Sequence, residues 1–204
     1  MLDKIVFFSG IHGSGKSTLI KDLSKIDNIF PYENIDANYH LEHTYHRAIL
    51  RMAKYWVDTQ RMVELSKKNS DKIILASRCV YDNLAYVNGF YDIGWISKQD
   101  YEHHRSAYKS LFGERSLPIN IVYLNPPEEW VIENIKKRWE THPKKWREDE
   151  FEYLSAVHES FYELYSELKN PYVLRLEETN REKRVEVVLE WMKDMDLTQS
   201  FLTI

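Results

Sequence analysis

Residues 10–17 read Gly10-Ile11-His12-Gly13-Ser14-Gly15-Lys16-Ser17, the G-x-x-x-x-G-K-[ST] spacing of a phosphate-binding loop. The apolar run Lys4–Ser9 before it has strand character, and Ser17–Leu23 after it has helix character. Glycines let the backbone turn tightly and approach an anion closely. Backbone N–H groups in such a loop converge on phosphate oxygens, assisted by the positive end of the following helix. Lys16 adds a mobile cation for the β- and γ-phosphates, and Ser17 offers a hydroxyl to Mg²⁺. Nucleoside triphosphate binding follows, with donor contacts expected at Gly10, His12, Gly13, Ser14, Gly15, Lys16, Ser17 and Thr18.

A chain built around this loop needs a parallel sheet to hold it. Four further apolar runs supply strand candidates: Ile29–Ile35, Asp71–Ser77, Ile119–Leu124 and Tyr172–Leu176. Pro31 places the first of these at a sheet edge, because proline cannot donate to a ladder. The continuous apolar run Ile73–Ala76 suits a sheet centre. Helical patterns fall at 16–26, 41–67, 80–90, 98–112, 126–140, 149–168 and 181–194. Asn125-Pro126-Pro127-Glu128 reads as an N-cap, a proline first turn and a capping-box Glu. Alternating strands and helices imply an α/β chain: one domain over 1–204, a five-stranded parallel sheet with helices on both faces.

Three features beyond the loop carry chemistry. Arg78 directly follows the third strand, and open α/β sheets bind ligands at the carboxyl ends of their strands. On the long helix 41–67, Ile49, Met52, Trp56 and Val63 share a face on which Gln60 also falls, with Asp58 pointing away. An amide there is suited to a nucleobase edge; at the rim of the stripe it is simply hydrated. Lys144-Lys145-Trp146-Arg147 follows the helix break at Thr141–Pro143, with Arg138 just before it, cations suited to a lid over a transferring phosphate. His40, His43 and His46 recur every three residues, but no Cys or acidic signature joins them, so they read as surface or interface histidines rather than metal ligands.

Bulk properties narrow the class. With 204 residues, 43% hydrophobic and 14% aromatic, the chain is long and apolar enough for a real core. A net charge of −4 and the lack of a basic stripe argue against a nucleic-acid polymer or an anionic membrane as partner. Cys79 alone excludes an internal disulfide framework and fits a reducing, cytoplasmic setting. No run approaches a membrane span, and the start does not read as a signal peptide.

Together these segments resemble the deoxynucleoside kinases and the related thymidylate kinases. Ser77-Arg78-Cys79-Val80-Tyr81-Asp82-Asn83 is similar to the former's Glu-Arg-Ser-Val-Tyr-Ser-Asp segment, and Val57-Asp58-Thr59-Gln60 to the helix whose Gln reads the base. Arg78, Ala85 and Tyr86 also fit the thymidylate kinase spacing, with Asp82 in place of its Ser and without its Arg-Glu-Pro-Gly-Gly stretch. The resemblance implies a three-layer P-loop kinase fold with a helical lid. It implies ATP as donor, Mg²⁺ as the associated ion, and a small-molecule nucleoside or nucleotide as acceptor. Dimers are common among such kinases, and helix 41–67 is a candidate interface.

On this resemblance Lys16, Glu33, Arg78, Arg138 and Arg147 are the expected catalytic groups, with Glu33 as general base. Glu33, Trp56, Gln60, Arg78, Asp82 and Asn83 are the expected acceptor contacts. The departure is Ser77, where the resembled families carry an acidic residue that helps hold Mg²⁺. Glu33 or Asp36 is the candidate substitute; the alternative is slow or absent turnover, as in a nucleotide-dependent switch.

Overall fold

A computed structural model describes residues 4–34, 43–112, 120–168, 170 and 172–194. The elements run β1 (Ile5–Ser9), α1 (Lys16–Leu23), β2 (Ile29–Pro31), α2 (Thr44–Lys68), β3 (Ile73–Ser77), α3 (Val80–Asp92), α4 (Lys98–Leu111), β4 (Ile121–Leu124), α5 (Glu128–Trp139), α6 (Phe151–Glu167), β5 (Val173–Leu176) and α7 (Arg181–Asp194). The five strands form one sheet in the order β2-β3-β1-β4-β5, every pair parallel. β2, carrying Pro31, lies at an edge as its composition requires.

Strand alternation divides the core into two layers. Ile5 and Phe7 of β1, Ile74 and Ala76 of β3, and Ile121 and Tyr123 of β4 face helices α2, α3, α5 and α6. Val6, Phe8, Leu75, Val122 and Leu124 face the other way, onto Leu19, Ile20 and Leu23 of α1 and Val188 and Met192 of α7. Burying each large side chain contributes about 1.5–3 kcal/mol. These two layers therefore hold the sheet, and with it the carboxyl ends of β1 and β3, in one place.

Helix α6 packs on α3 through Leu154, Val157, Phe161 and Tyr165, as its periodicity predicts. Gly89 permits the contact: a Cβ there would lie 2.7 Å from Val157 Cγ2. One local expectation fails. Helix α5 is capped at Pro127 with no side-chain cap bond, and Asn125 instead accepts from the Tyr123 hydroxyl at 2.9 Å. Of the aromatic residues of α2, Tyr55 is buried, and Tyr45 and Trp56 are partly buried against core clusters.

The buried stripe of α2 is rotated from the one that Ile49–Met52–Trp56–Val63 suggests. It runs through Ala48, Met52, Tyr55, Thr59, Met62 and Ser66. Asp58, expected to point outward, is only 2% exposed, and Gln60 lies on the exposed face. A buried carboxylate is tolerated when paired and hydrogen-bonded. Asp58 has both: an ion pair with Lys54 and the Tyr32 hydroxyl donating at 2.9 Å.

Helices α2, α3 and α4 are braced by a buried chain of polar groups. His104 Nε2 lies 2.7 Å from Asn83 Oδ1, and Asn83 Nδ2 donates to the Ala48 carbonyl at 3.1 Å. Asn83 already donates through its amide, so His104 donates from Nε2, leaving Nδ1 buried without a partner. Burial, then the nearby Arg105 charge, pushes the imidazole pKa from 6.5 down to about 4. Between those values the unfolded chain binds a proton that the folded chain refuses, so stability is full above the upper value and lost as pH falls. The expected loss is roughly 1.4 kcal/mol per pH unit below pH 6.5, about 2 kcal/mol by pH 5. Urea unfolding at pH 7 and pH 5 measures it, and His104→Gln, which keeps the donor but cannot titrate, removes this part of the pH dependence.

Candidate active site

The site starts where β1 runs out. Ser9 is fully buried, and Gly10 takes φ 132 because the chain passes over the end of β4; a Cβ there would meet the Leu124 carbonyl oxygen at 2.5 Å. The loop then feeds α1 through Gly15 at φ 90. Ser17 and Thr18 in the first turn of α1 are exposed, their hydroxyls open to a ligand. Lys16 is buried and folds back on its own loop, donating to Gly10 O at 2.7 Å, Ile11 O at 2.6 Å and Ser14 Oγ at 3.0 Å. Burial and then the charge of Arg78 hold its ammonium well below the usual lysine range.

Arg78 sits beside this loop. Its φ of 75 is unusual for a residue with a side chain. The conformation is fixed from several sides: the backbone N–H donates to Phe8 O at 2.7 Å, and Nη1 donates to Gly10 O at 3.2 Å and to Asp82 Oδ1 at 3.1 Å. The guanidinium carbon stands 5.0 Å from the Tyr86 ring centre. Nη2 donates to Nδ1 of His12 at 3.3 Å, which defines a neutral His12 protonated on Nε2. Neutrality follows from the surroundings: loss of solvent, then the charges of Arg78, Lys16, Arg51 and Lys145, hold the imidazole well below its ordinary value.

Asp82 and Asn83, expected to contact an acceptor, are buried and committed elsewhere. The Asp82 carboxylate accepts from Ser9 Oγ at 2.9 Å, the Cys79 N–H at 2.8 Å and Arg78. It therefore orders Arg78 and the end of β1. Trp56 packs edge-on against Phe112, ring centres 5.6 Å apart, between α2 and α4. Gln60 is on the solvent side of α2. Glu33 is exposed just past β2, and its neighbour Asn34 donates to the Ser77 carbonyl at 3.0 Å, which pins the segment at the carboxyl end of β3. Asp36 and His40 lie outside the described residues. His43 and His46 pack ring to ring at 4.5 Å, and among the described residues no cluster of His, Cys, Asp or Glu is arranged to hold a metal ion.

The basic segment after α5 is organised by Glu148, a residue that no sequence motif marks. Glu148 is fully buried and accepts from the Lys145 N–H at 2.7 Å, Trp139 Nε1 at 2.7 Å and Arg138. Arg147, at φ 49, stacks 4.3 Å from the Trp95 ring centre and pairs with Glu150 at 3.7 Å. Lys145 and Arg138 are the cations of this segment whose fields reach Lys16. Burial and then Arg138 hold the Lys145 ammonium below its usual range. Arg51 of α2, likewise unmarked, adds its charge at His12. Spacing along the chain does not signal either residue.

A glycine-rich loop between the central strand and α1, with cations converging on it from β3, α2 and the segment after α5, defines a phosphate-loop kinase. The Deoxynucleoside kinase family model matches residues 6–195, and the chain belongs to that family: an enzyme that transfers a phosphoryl group to a nucleoside-type acceptor. Among solved structures, deoxyadenosine kinase from M. mycoides with bound dATP is similar in fold, with a TM-score of 0.72 at 20% identity over 94% of this chain and 100% of that one. The same enzyme with bound dCTP aligns with a TM-score of 0.64 at 18% identity, over 94% of this chain and 99% of that one. Thymidylate kinase from Candida albicans aligns with a TM-score of 0.71 at 15% identity, over 100% of this chain and 96% of that one. No curated protein sequence matches.

Proposed function

We propose that the chain transfers the γ-phosphoryl group of ATP to the 5′-oxygen of a deoxynucleoside. The observation that carries this reading is Arg78, held in a left-handed backbone conformation at the end of β3 with its guanidinium bonded to the phosphate loop. A fixed cation between the donor loop and the crevice suits charge developing on a transferring group. Lys16 leaves its own carbonyls to take up donor phosphate oxygens. Ser17 and the donor phosphates would hold Mg²⁺, which would supply charge neutralisation. Glu33 accepts the proton of the 5′-hydroxyl as the O5′–P bond forms and the bond to the β-phosphate oxygen breaks, releasing ADP. Lys145 and Arg138 cover the group, and exclusion of water strengthens each of these contacts. Catalysis is mainly positioning and electrostatics. A cytoplasmic setting fits the single buried, reduced Cys79.

A second reading has a specific observation behind it. Arg51, Arg78 and Lys145 together place positive charge around His12, which also suits an acceptor that already bears a phosphate. Incubation with labelled ATP and a panel of nucleosides and monophosphates separates the two. Nucleoside monophosphates as products support the first reading, diphosphates the second, and no acceptor-dependent product overturns both. Under the first reading, Glu33→Gln lowers kcat by roughly 10²–10⁴-fold with the acceptor KM little changed; under the second it has little effect.

A further inference from the structure

The last helix contributes a side chain to the phosphate loop. Arg184, on α7, is 4% exposed and reaches the loop from a position 170 residues away in sequence from Ser14. Its Nη1 donates to the Ser14 carbonyl at 2.9 Å, and its Nε donates to the Glu178 carbonyl in the turn that precedes α7. The guanidinium carbon lies 4.6 Å from the ring centre of Trp130 on α5. Gly15 is shaped around it: a Cβ at that position would come within 2.5 Å of Nη1. The glycine that the loop motif demands is thus also the one that makes room for Arg184.

We propose that Arg184 is a positioning residue of the donor site, setting the direction of the Ser14–Gly15 peptide on which nucleotide phosphate binding depends. A trans peptide points its C=O and N–H in opposite directions. Holding the Ser14 carbonyl outward, against Arg184, turns the Gly15 N–H toward the opposite side of the loop. Ser14 is held at both ends: Lys16 donates to its hydroxyl, and Arg184 to its carbonyl. Preorganised N–H groups bind an anion without reorganising when it arrives. A guanidinium is the fitting group, because its planar fork bonds two carbonyls while its face stacks on an indole. The remaining Nη2 is buried and has no partner among the described residues. A buried donor without a partner is costly, which gives the arrangement a reason to persist only if the loop geometry it enforces is used.

The proposal rests on the reading of the loop as the ATP site, and the test keeps the two separable. Titrate MgATP calorimetrically into the unaltered protein and into Arg184→Gln and Arg184→Lys, and measure KM for donor and acceptor in each. The expected result is a ten- to fifty-fold weaker MgATP Kd and a matching rise in donor KM for Arg184→Gln, with the acceptor KM within twofold. Arg184→Lys, which keeps charge but not the fork, recovers only part of the affinity. Trp130→Leu removes only the stacking platform and is the second variant if Arg184→Gln fails to fold; a selective rise in donor KM is expected there too. Normal MgATP binding by the unaltered protein with a Kd within twofold in the soluble variants, or donor and acceptor KM rising together, overturns the role of Arg184 alone. Failure of the unaltered protein to bind MgATP overturns the donor-loop reading and this inference with it.

Discussion

Lys16→Met abolishes measurable phosphoryl transfer: kcat/KM falls by at least roughly 10²–10³-fold, the scale for removing one preorganised charge-stabilising donor from an active site. The structure adds a second expectation. Lys16 satisfies Gly10 O, Ile11 O and Ser14 Oγ at 2.7, 2.6 and 3.0 Å. Removing the ammonium takes one donor from each; Gly10 O keeps Arg78 Nη1 and Ile11 O keeps the Ser14 N–H, and an acceptor left with no donor and out of reach of water costs about 1–3 kcal/mol. Removing a desolvated charge works in the other direction. The activity loss is therefore expected to exceed by far any change in the urea midpoint. Steady-state kinetics and urea unfolding of the same preparation check both halves. An unchanged kcat/KM would mean that the loop does not hold the donor phosphates.

Asp82→Ala is the substitution outside the phosphate loop with the largest expected effect on folding. The carboxylate is fully buried and serves Ser9, the Cys79 N–H and Arg78. Breaking a buried pair by removing one partner costs about 3–5 kcal/mol, because the other charge stays buried without compensation. Here the remaining charge belongs to a residue at φ 75, a conformation that costs about 1–3 kcal/mol and persists only while its surroundings over-determine it. Asp82→Asn keeps the volume and the Ser9 contact, so it is expected to fold while losing activity through a mobile Arg78. Urea unfolding of the alanine variant and kinetics of the asparagine variant measure the two effects. A change below about 1 kcal/mol in Asp82→Ala would show that water or another group replaces the carboxylate.

The position of this acid bears on Ser77. The chain has a serine at the end of β3 and a buried carboxylate one turn into α3, bonded to Arg78. Asp82 is fully buried and holds the arginine through Nη1. Glu33 is exposed on the segment that Asn34 ties to the Ser77 carbonyl at 3.0 Å.

Much of the architecture is legible from local pattern. The apolar run, the glycine spacing and the helix after it specify β1, the loop and α1, because each rests on propensities of neighbouring residues. Pro31 at an edge and Ile73–Ala76 inside the sheet follow from hydrogen-bonding capacity and burial. The place of Arg78 directly after β3, beside the loop, is readable in the same way. Gln60 and Asp58 are not readable in the same way. The helical stripe places Gln60 on the apolar side, but an ion pair with Lys54 and a hydroxyl from the Tyr32 side chain make it possible to bury Asp58, and the helix rotates accordingly. Hydrophobic periodicity treats every carboxylate as a surface group, so a long-range partner overrides the pattern.

Contiguous stretches of chain therefore suffice for the fold class and the placement of the phosphate loop between the first strand and the first helix, since each is encoded by near neighbours. Packing of the layers settles what surrounds that loop. It brings Arg51, Lys145 and Arg184 to it, places Arg147 against Trp95, and draws Asp82 and Asn83 into buried hydrogen bonds. The physical reason is that these contacts join charges and carbonyls far apart in the chain. Their free energy depends on desolvation and partners, which exist only once the helices have closed over the sheet.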